Sequence, residues 1–166
     1  MKDFVNEDLA AGEVLVRVSL DVKDTFDAAW RPSILNGLRA CGCPKNLYDL
    51  TKSYFSQRTA ILATNSVRVE REIIKGCPQG SCCGPGFWKV QYNSLLKLNF
   101  QAQTKAVAFD EDQILATSGE SVRAVEKYSN GELSKITALS KNNKIRLNKE
   151  KSKVMLVSRK KRKELK

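Results

Sequence analysis

Apolar and polar positions change period several times along the chain, and each change marks an element. Residues 13–21 are rich in Val and alternate weakly, which predicts a strand ending at Asp21. The stretch from Trp30 to Ala40 opens on Arg-Pro-Ser and places Ile34, Leu35 and Leu38 at helical spacing. Pro44 starts a second helix with Leu47, Leu50, Tyr54 and Phe55 on one side. Residues 59–64 and 67–74 read as two strands joined at Asn65-Ser66, because Val67, Val69 and Arg71 alternate with Arg68, Glu70 and Glu72. A glycine-rich loop from Lys75 to Gly86 leads into a helix from about Phe87 to Leu98. The apolar runs Ala106-Val107-Ala108-Phe109 and Ile114-Leu115-Ala116 then flank Asp110-Glu111-Asp112, the pattern of a tight hairpin over residues 105–117. A helix over 120–141 carries Val122, Val125, Leu133, Ile136 and Leu139 on one stripe, and residues 144–147 and 152–157 predict two short strands. The order β, α, α, β, β, α, β, β, α, β, β predicts one α+β domain over residues 13–158. Its helices pack on one face of an antiparallel sheet, between a frayed entry at 1–12 and a tail at 159–166.

Charge sharpens this picture. The formal net charge of +11 is concentrated at one end: residues 141–166 hold 12 Lys and Arg against 2 Glu. A basic end on a nearly neutral body suits a polyanion, since phosphate neutralisation releases counterions whatever the base sequence. The run Arg159-Lys160-Lys161-Arg162-Lys163 is equally compatible with a solubilising tail or a nuclear targeting signal. Five cysteines, no signal peptide and no apolar run long enough to span a bilayer point to a reducing intracellular compartment, nucleus or cytoplasm, rather than secretion or a membrane. Cys41 and Cys43, and Cys77, Cys82 and Cys83, lack the paired spacing of a zinc site, and the chain has no His.

The chemistry lies in the acids. Carboxylates crowded on a hairpin tip attract a cation, and Asp21 ends another apolar strand. Two strand ends carrying acids can converge on a shared pair of divalent metals.

Four segments stand in the order and spacing of one family's motifs: Ser19-Leu20-Asp21-Val22-Lys23-Asp24-Thr25-Phe26-Asp27, Lys75-Gly76-Cys77-Pro78-Gln79-Gly80-Ser81, Phe109-Asp110-Glu111-Asp112, and Leu147-Asn148-Lys149-Glu150-Lys151-Ser152-Lys153. Over residues 13–158 the chain resembles the reverse transcriptase palm of non-LTR (LINE-like) retrotransposons. The resemblance implies RNA-templated DNA synthesis with two Mg²⁺ ions, an RNA template, a DNA primer and deoxynucleoside triphosphates. It implies metal binding by Asp21, Glu111 and Asp112, with the carbonyl of Val22 beside them. Phe26 matches the bulky residue that excludes a ribose 2′ hydroxyl, Gln79 and Gly80 the loop that positions nucleotide and template, and Lys151 the general acid toward pyrophosphate. Lys149 and Lys153, with Arg159, Lys160, Lys161 and Arg162 of the tail, are candidates for nucleic-acid phosphates.

The chain also departs from the family. Asp110 stands where a small residue belongs and Glu111 where the first Asp of the pair belongs; only Asp112 matches. Glu sets its carboxylate one methylene further out, and Mg²⁺ demands near-octahedral oxygens at about 2.1 Å, which predicts impaired catalysis and a residual, weak affinity for Mn²⁺. Asp24-Thr25 replaces a small pair, and Gln113 puts an amide at an apolar position. About 20 residues precede Asp21, so most of the fingers, the thumb and any endonuclease region are expected to belong to a longer polyprotein. Two other functions compete with a working enzyme: a non-catalytic nucleic-acid binder that grips through the basic end, and an interaction protein whose uncovered palm surface pairs with missing domains.

Overall fold

The computed structural model describes residues 7, 10–109 and 112–158. It contains β1 (Val14–Val22), α1 (Arg31–Ala40), α2 (Lys45–Phe55), β2 (Thr59–Ala63), β3 (Arg68–Glu72), α3 (Gly84–Leu96), β4 (Thr104–Phe109), β5 (Asp112–Gly119), α4 (Val122–Asn142) and β6 (Leu147–Val157). The mixture of helices with antiparallel sheet is the expected one. Two compact units divide it: residues up to Lys23 with those from Leu95 onward, and Asp24–Ser94.

The first unit is a four-stranded antiparallel sheet in the order β4-β5-β1-β6. Alternation along β1 explains its central place. Val18, Leu20 and Val22 are buried, while Arg17, Ser19 and Asp21 face the other side. The buried set shares its face with Gln113, Leu115 and Thr117 of β5, and α4 packs against these two strands. Gln113, at an expected apolar position, is fully buried there. Ser121 caps α4 by accepting a hydrogen bond from the Ala124 N–H at 3.2 Å.

Two expectations about this unit need correction. The buried face of α4 is Val125, Ser129, Glu132, Ile136 and Ser140, so Val122, Leu133 and Leu139 lie beside the core rather than in it. Glu132 is drawn in because its carboxylate has work there: Oε1 accepts from the Gln101 N–H at 3.1 Å, and the Lys135 ammonium pairs with it at 3.0 Å. Lys135 also donates to the Asn99 carbonyl at 3.4 Å, so the pair fastens the approach to β4. The second correction concerns the last two strands, which are one. β6 runs unbroken from Leu147 to Val157 with a register shift opposite Leu20: Ser19 pairs with Lys153, but Asp21 pairs with Asn148. The polar residues 149–152 bulge out without ending the strand. Beyond them Val154, Met155 and Leu156 are all exposed on this edge strand.

The second unit packs Ala29, Ile34, Phe55 and Cys77 with Leu35, Leu38, Tyr54, Phe87 and Val90. The Phe55 and Phe87 rings stand 4.9 Å apart. The stripe expected along α2 is used only at its C-terminal end; Leu47 and Leu50 are exposed. α3 begins at Gly84, three residues earlier than its apolar pattern suggests, and every residue of β2 and β3 is exposed. The unit's irregular strands are gathered by one cation. Arg31, 8% exposed at the start of α1, donates through Nη1 to the carbonyls of Phe55 (3.0 Å) and Ile73 (2.6 Å) and through Nη2 to that of Lys75 (3.4 Å). Its guanidinium also lies 5.5 Å over the Phe55 ring.

Replacing Arg31 by Met strands three carbonyls and is expected to cost about 3 kcal/mol in urea unfolding, with no rescue by Lys, which lacks the planar fork. An unchanged midpoint in either variant would refute this role. Burial pushes the Cys77 thiol up to about 11. The unfolded thiol ionises at lower pH than the folded one, so the folded state loses stability as pH rises through the interval that ends near pH 11. Urea midpoints should therefore fall more steeply over that interval in the parent than in Cys77→Ala; parallel curves would contradict it.

Candidate active site

The site begins with a register. β1 and β5 pair so that Asp21 faces Asp112 directly, which sets their Cα atoms about 5 Å apart on the face opposite α4. Asp21 is half-buried and Asp112 exposed. β4 closes onto β5 through the pair Phe109 and Asp112, leaving residues 110–111 as the connection. Glu111 and Asp110 lie outside the described residues.

β6 completes the floor on the other side of Asp21. The register shift deprives the Asp21 N–H of a regular ladder partner, and the Ser152 hydroxyl accepts from it at 3.3 Å while donating to the Asn148 carbonyl at 2.6 Å. One serine thus holds the bulge shut and places residues 149–151 on the sheet edge at the level of the acids. Lys149, Lys151 and Lys153 are exposed along this strand, while Val22, the next residue of β1, is buried opposite Leu147. Asn148 and Ser152 were not singled out in the sequence; a Ser four residues after an Asn, beside lysines, carries no signal until the ladder is known.

Two carboxylates from adjacent strands suit a hard divalent cation that keeps several waters, as Mg²⁺ does. Among the described residues no group of three or more His, Cys, Asp or Glu side chains is gathered as a metal centre. The third expected ligand, Glu111, is not among them.

The remaining candidates belong to the second unit. Asp24 enters the turn after β1 with φ of +54°, a conformation that Asp tolerates better than most residues, which explains how it replaces a small one; Thr25 beside it is buried. The Phe26 carbonyl accepts from the Cys77 N–H and the Ala29 carbonyl from the Gly76 N–H, both at 2.8 Å, so the turn is strapped to the glycine-rich loop. Gly76 makes this possible: its φ is +85°, and a Cβ there would stand 2.9 Å from the Asp27 carbonyl oxygen. Phe26 is half-buried. Gln79, exposed, donates to Asp27 Oδ1 at 3.4 Å, and Gly80 has φ of +78° with nothing within 4 Å of an added Cβ. The loop therefore offers open backbone beside an amide. Arg159, Lys160, Lys161 and Arg162 lie outside the described residues.

Residues 7–166 match the reverse transcriptase (RNA-dependent DNA polymerase) family. The chain belongs to that family. Over 118 residues, 71% of its length, this reverse transcriptase domain is 30% identical to a 115 kDa protein in the type-1 retrotransposable element R1DM of Drosophila melanogaster. Over 113 residues, 68% of its length, it is 30% identical to the retrovirus-related Pol polyprotein from the type-1 retrotransposable element R1 of Bradysia coprophila. It spans only 11% of each of these relatives. Its fold is similar to that of telomerase from Candida tropicalis in complex with a TWJ fragment of telomeric RNA, with a TM-score of 0.74 at 15% identity over 93% of this chain and 28% of that one. The LINE-like, non-LTR character of this reverse transcriptase domain thus agrees with its relatives, and the palm-like α+β fold with its structural neighbour.

Opposed like charges on paired strands disfavour the folded state unless a counter-ion joins them. Asp112→Asn is therefore expected to stabilise the metal-free reverse transcriptase domain by about 0.5 kcal/mol at low salt. Addition of Mn²⁺ should reverse the order, because only the parent keeps both carboxylates. Urea unfolding with and without Mn²⁺ checks this, and a variant no more stable than the parent without metal would overturn it.

Proposed function

We propose that residues 13–158 form the palm of an RNA-directed DNA polymerase and that Asp21 and Asp112 hold the divalent cations of its nucleotidyl transfer. The observation that carries this reading is the direct opposition of the two aspartates across the β1–β5 ladder. Divalent cations bound there supply Lewis-acid activation of a primer 3′ hydroxyl and neutralise the departing pyrophosphate.

The chain's own residues account for the rest. The acids, on the sheet face opposite α4 with Asp112 exposed, meet the primer end. Lys151, exposed on the bulge of β6, gives a proton to the pyrophosphate in this reading, and Lys149 and Lys153 hold phosphates beside it. In the second unit, Phe26 bars a ribose 2′ hydroxyl, while Gln79 and the unobstructed backbone of Gly80 receive the nucleotide and template base. The substrates are a DNA primer, an RNA template and deoxynucleoside triphosphates, with Mg²⁺ as the cation. Glu111 lowers turnover, because an extra methylene displaces one carboxylate by on the order of 1 Å, a misplacement that costs about a hundredfold. Weak Mn²⁺ binding persists, Mn²⁺ being less exacting in geometry. Among the described residues no helix is long and apolar enough to cross a membrane.

Primer extension on an RNA template tests this. The double variant Asp110→Ala with Glu111→Asp should extend about a hundredfold faster than the parent, and Asp21→Ala should abolish extension in either background. Equal silence from all of them, with salt-sensitive hybrid binding unaffected by Asp21→Ala, would instead leave a non-catalytic binder that grips through its basic end.

A further inference from the structure

The sheet face that carries the acids also carries a cation whose position is unusual for a central strand. Arg17 lies four residues before Asp21 on β1, on the same face, with β5 on one side and β6 on the other. Its paired neighbours are uncharged: Ala116 on β5 and Met155 on β6. Arg17 is exposed, and no carboxylate among the described residues pairs with it. A guanidinium held in the middle of a sheet without a counter-charge is poorly explained by folding, since an apolar or β-branched residue serves a central strand better.

The rows of the sheet show what such a cation could meet. Moving away from the acids, the row of Asp21 and Asp112 is followed by Ser19, flanked by Ile114 and Lys153, and then by Arg17, flanked by Ala116 and Met155. Lys105 of β4 also faces Ala116, so it stands on the other side of the same small residue from Arg17. One face therefore runs from two acids at its end to Lys153 and then to Arg17 and Lys105, with small or uncharged residues between them. Four residues of strand span about 14 Å, which covers on the order of two to four nucleotides of a strand in a duplex.

We infer that Arg17, with Lys153 between it and the acids, clamps the phosphate backbone of the strand whose 3′ end lies at Asp21 and Asp112. This rests on the proposed nucleotidyl-transfer reading and adds to it a positioning contact upstream of the reacting end. The guanidinium fork matches two phosphate oxygens in a way a lysine cannot. The contact carries no base information, so it fixes the register of the primer end over the acids without selecting sequence.

The test uses the full 166-residue chain. Fluorescence anisotropy measures its binding to RNA–DNA hybrids with a recessed DNA 3′ end, in which single primer phosphates are replaced in turn by neutral methylphosphonates. Expected is one position, two to four nucleotides from the 3′ end, at which replacement weakens binding by the parent about three- to tenfold. Arg17→Ala should bind the unmodified hybrid more weakly by the same factor and be indifferent to replacement at that position only. Its affinity should fall with salt less steeply than the parent's, by about 0.9 in the log–log slope, and Arg17→Lys should recover part of the loss. Arg17 is exposed, so a matching thermal melt secures the comparison. Unmodified hybrid binding with no primer position coupled to Arg17, or coupling to the template strand instead, overturns the clamp alone. Failure of the parent to bind any hybrid overturns the clamp and the polymerase reading together.

Discussion

The pairing of β1 with strands on both of its sides is the constraint from which the site follows. Because side chains alternate with a period of two, the register that turns Val18, Leu20 and Val22 toward α4 also puts Asp21 on the other face, opposite Asp112. A slip of one residue would bury the aspartate and expose the valines. The free energy of burying the core therefore also fixes the geometry of the acids, and the site needs no separate scaffold. The same strand meets β6 through a register shift, so its far side is adjustable where its near side is not.

Much of this was legible in the sequence. The Val-rich run ending at Asp21 and the two apolar runs around Asp112 gave a strand and a hairpin, because period and turn chemistry agreed there. The four motifs gave the family. What stayed hidden was decided by partners distant in sequence. Glu132 looks like a surface residue on a helix wheel, yet it is buried because a backbone N–H from Gln101 and the Lys135 ammonium meet it there. The polar stretch 149–152 looks like a break between strands, yet β6 continues through it as a bulge, with Ser152 satisfying the Asp21 N–H. Leu47 and Leu50 have the right spacing for a core, but only the Tyr54 and Phe55 end of their helix has a core to reach.

The second unit follows a different physical plan. Its sheet is only a two-stranded hairpin, which is marginal by itself in water, so cohesion comes from an aromatic cluster and from a guanidinium spread over three carbonyls. Gly76 lets the loop that bears Gln79 and Gly80 press against the turn that bears Phe26. The nucleotide-side candidates are thus positioned largely by backbone contacts of turn and loop, with the Gln79 amide tied to Asp27 Oδ1.

The edge of the first sheet has a cost of its own. Val154, Met155 and Leu156 are exposed in succession on β6, whose outer rim ends the four-stranded sheet. An uncovered rim with apolar side chains on both faces invites a strand from another copy, and the usual deterrents are charge and irregularity. Both stand immediately upstream, in the bulge and in Lys149, Lys151 and Lys153. Those lysines act as gatekeepers against self-association as well as candidates for phosphate, so acetylating them, or otherwise removing their charge, would trade solubility for edge-to-edge growth.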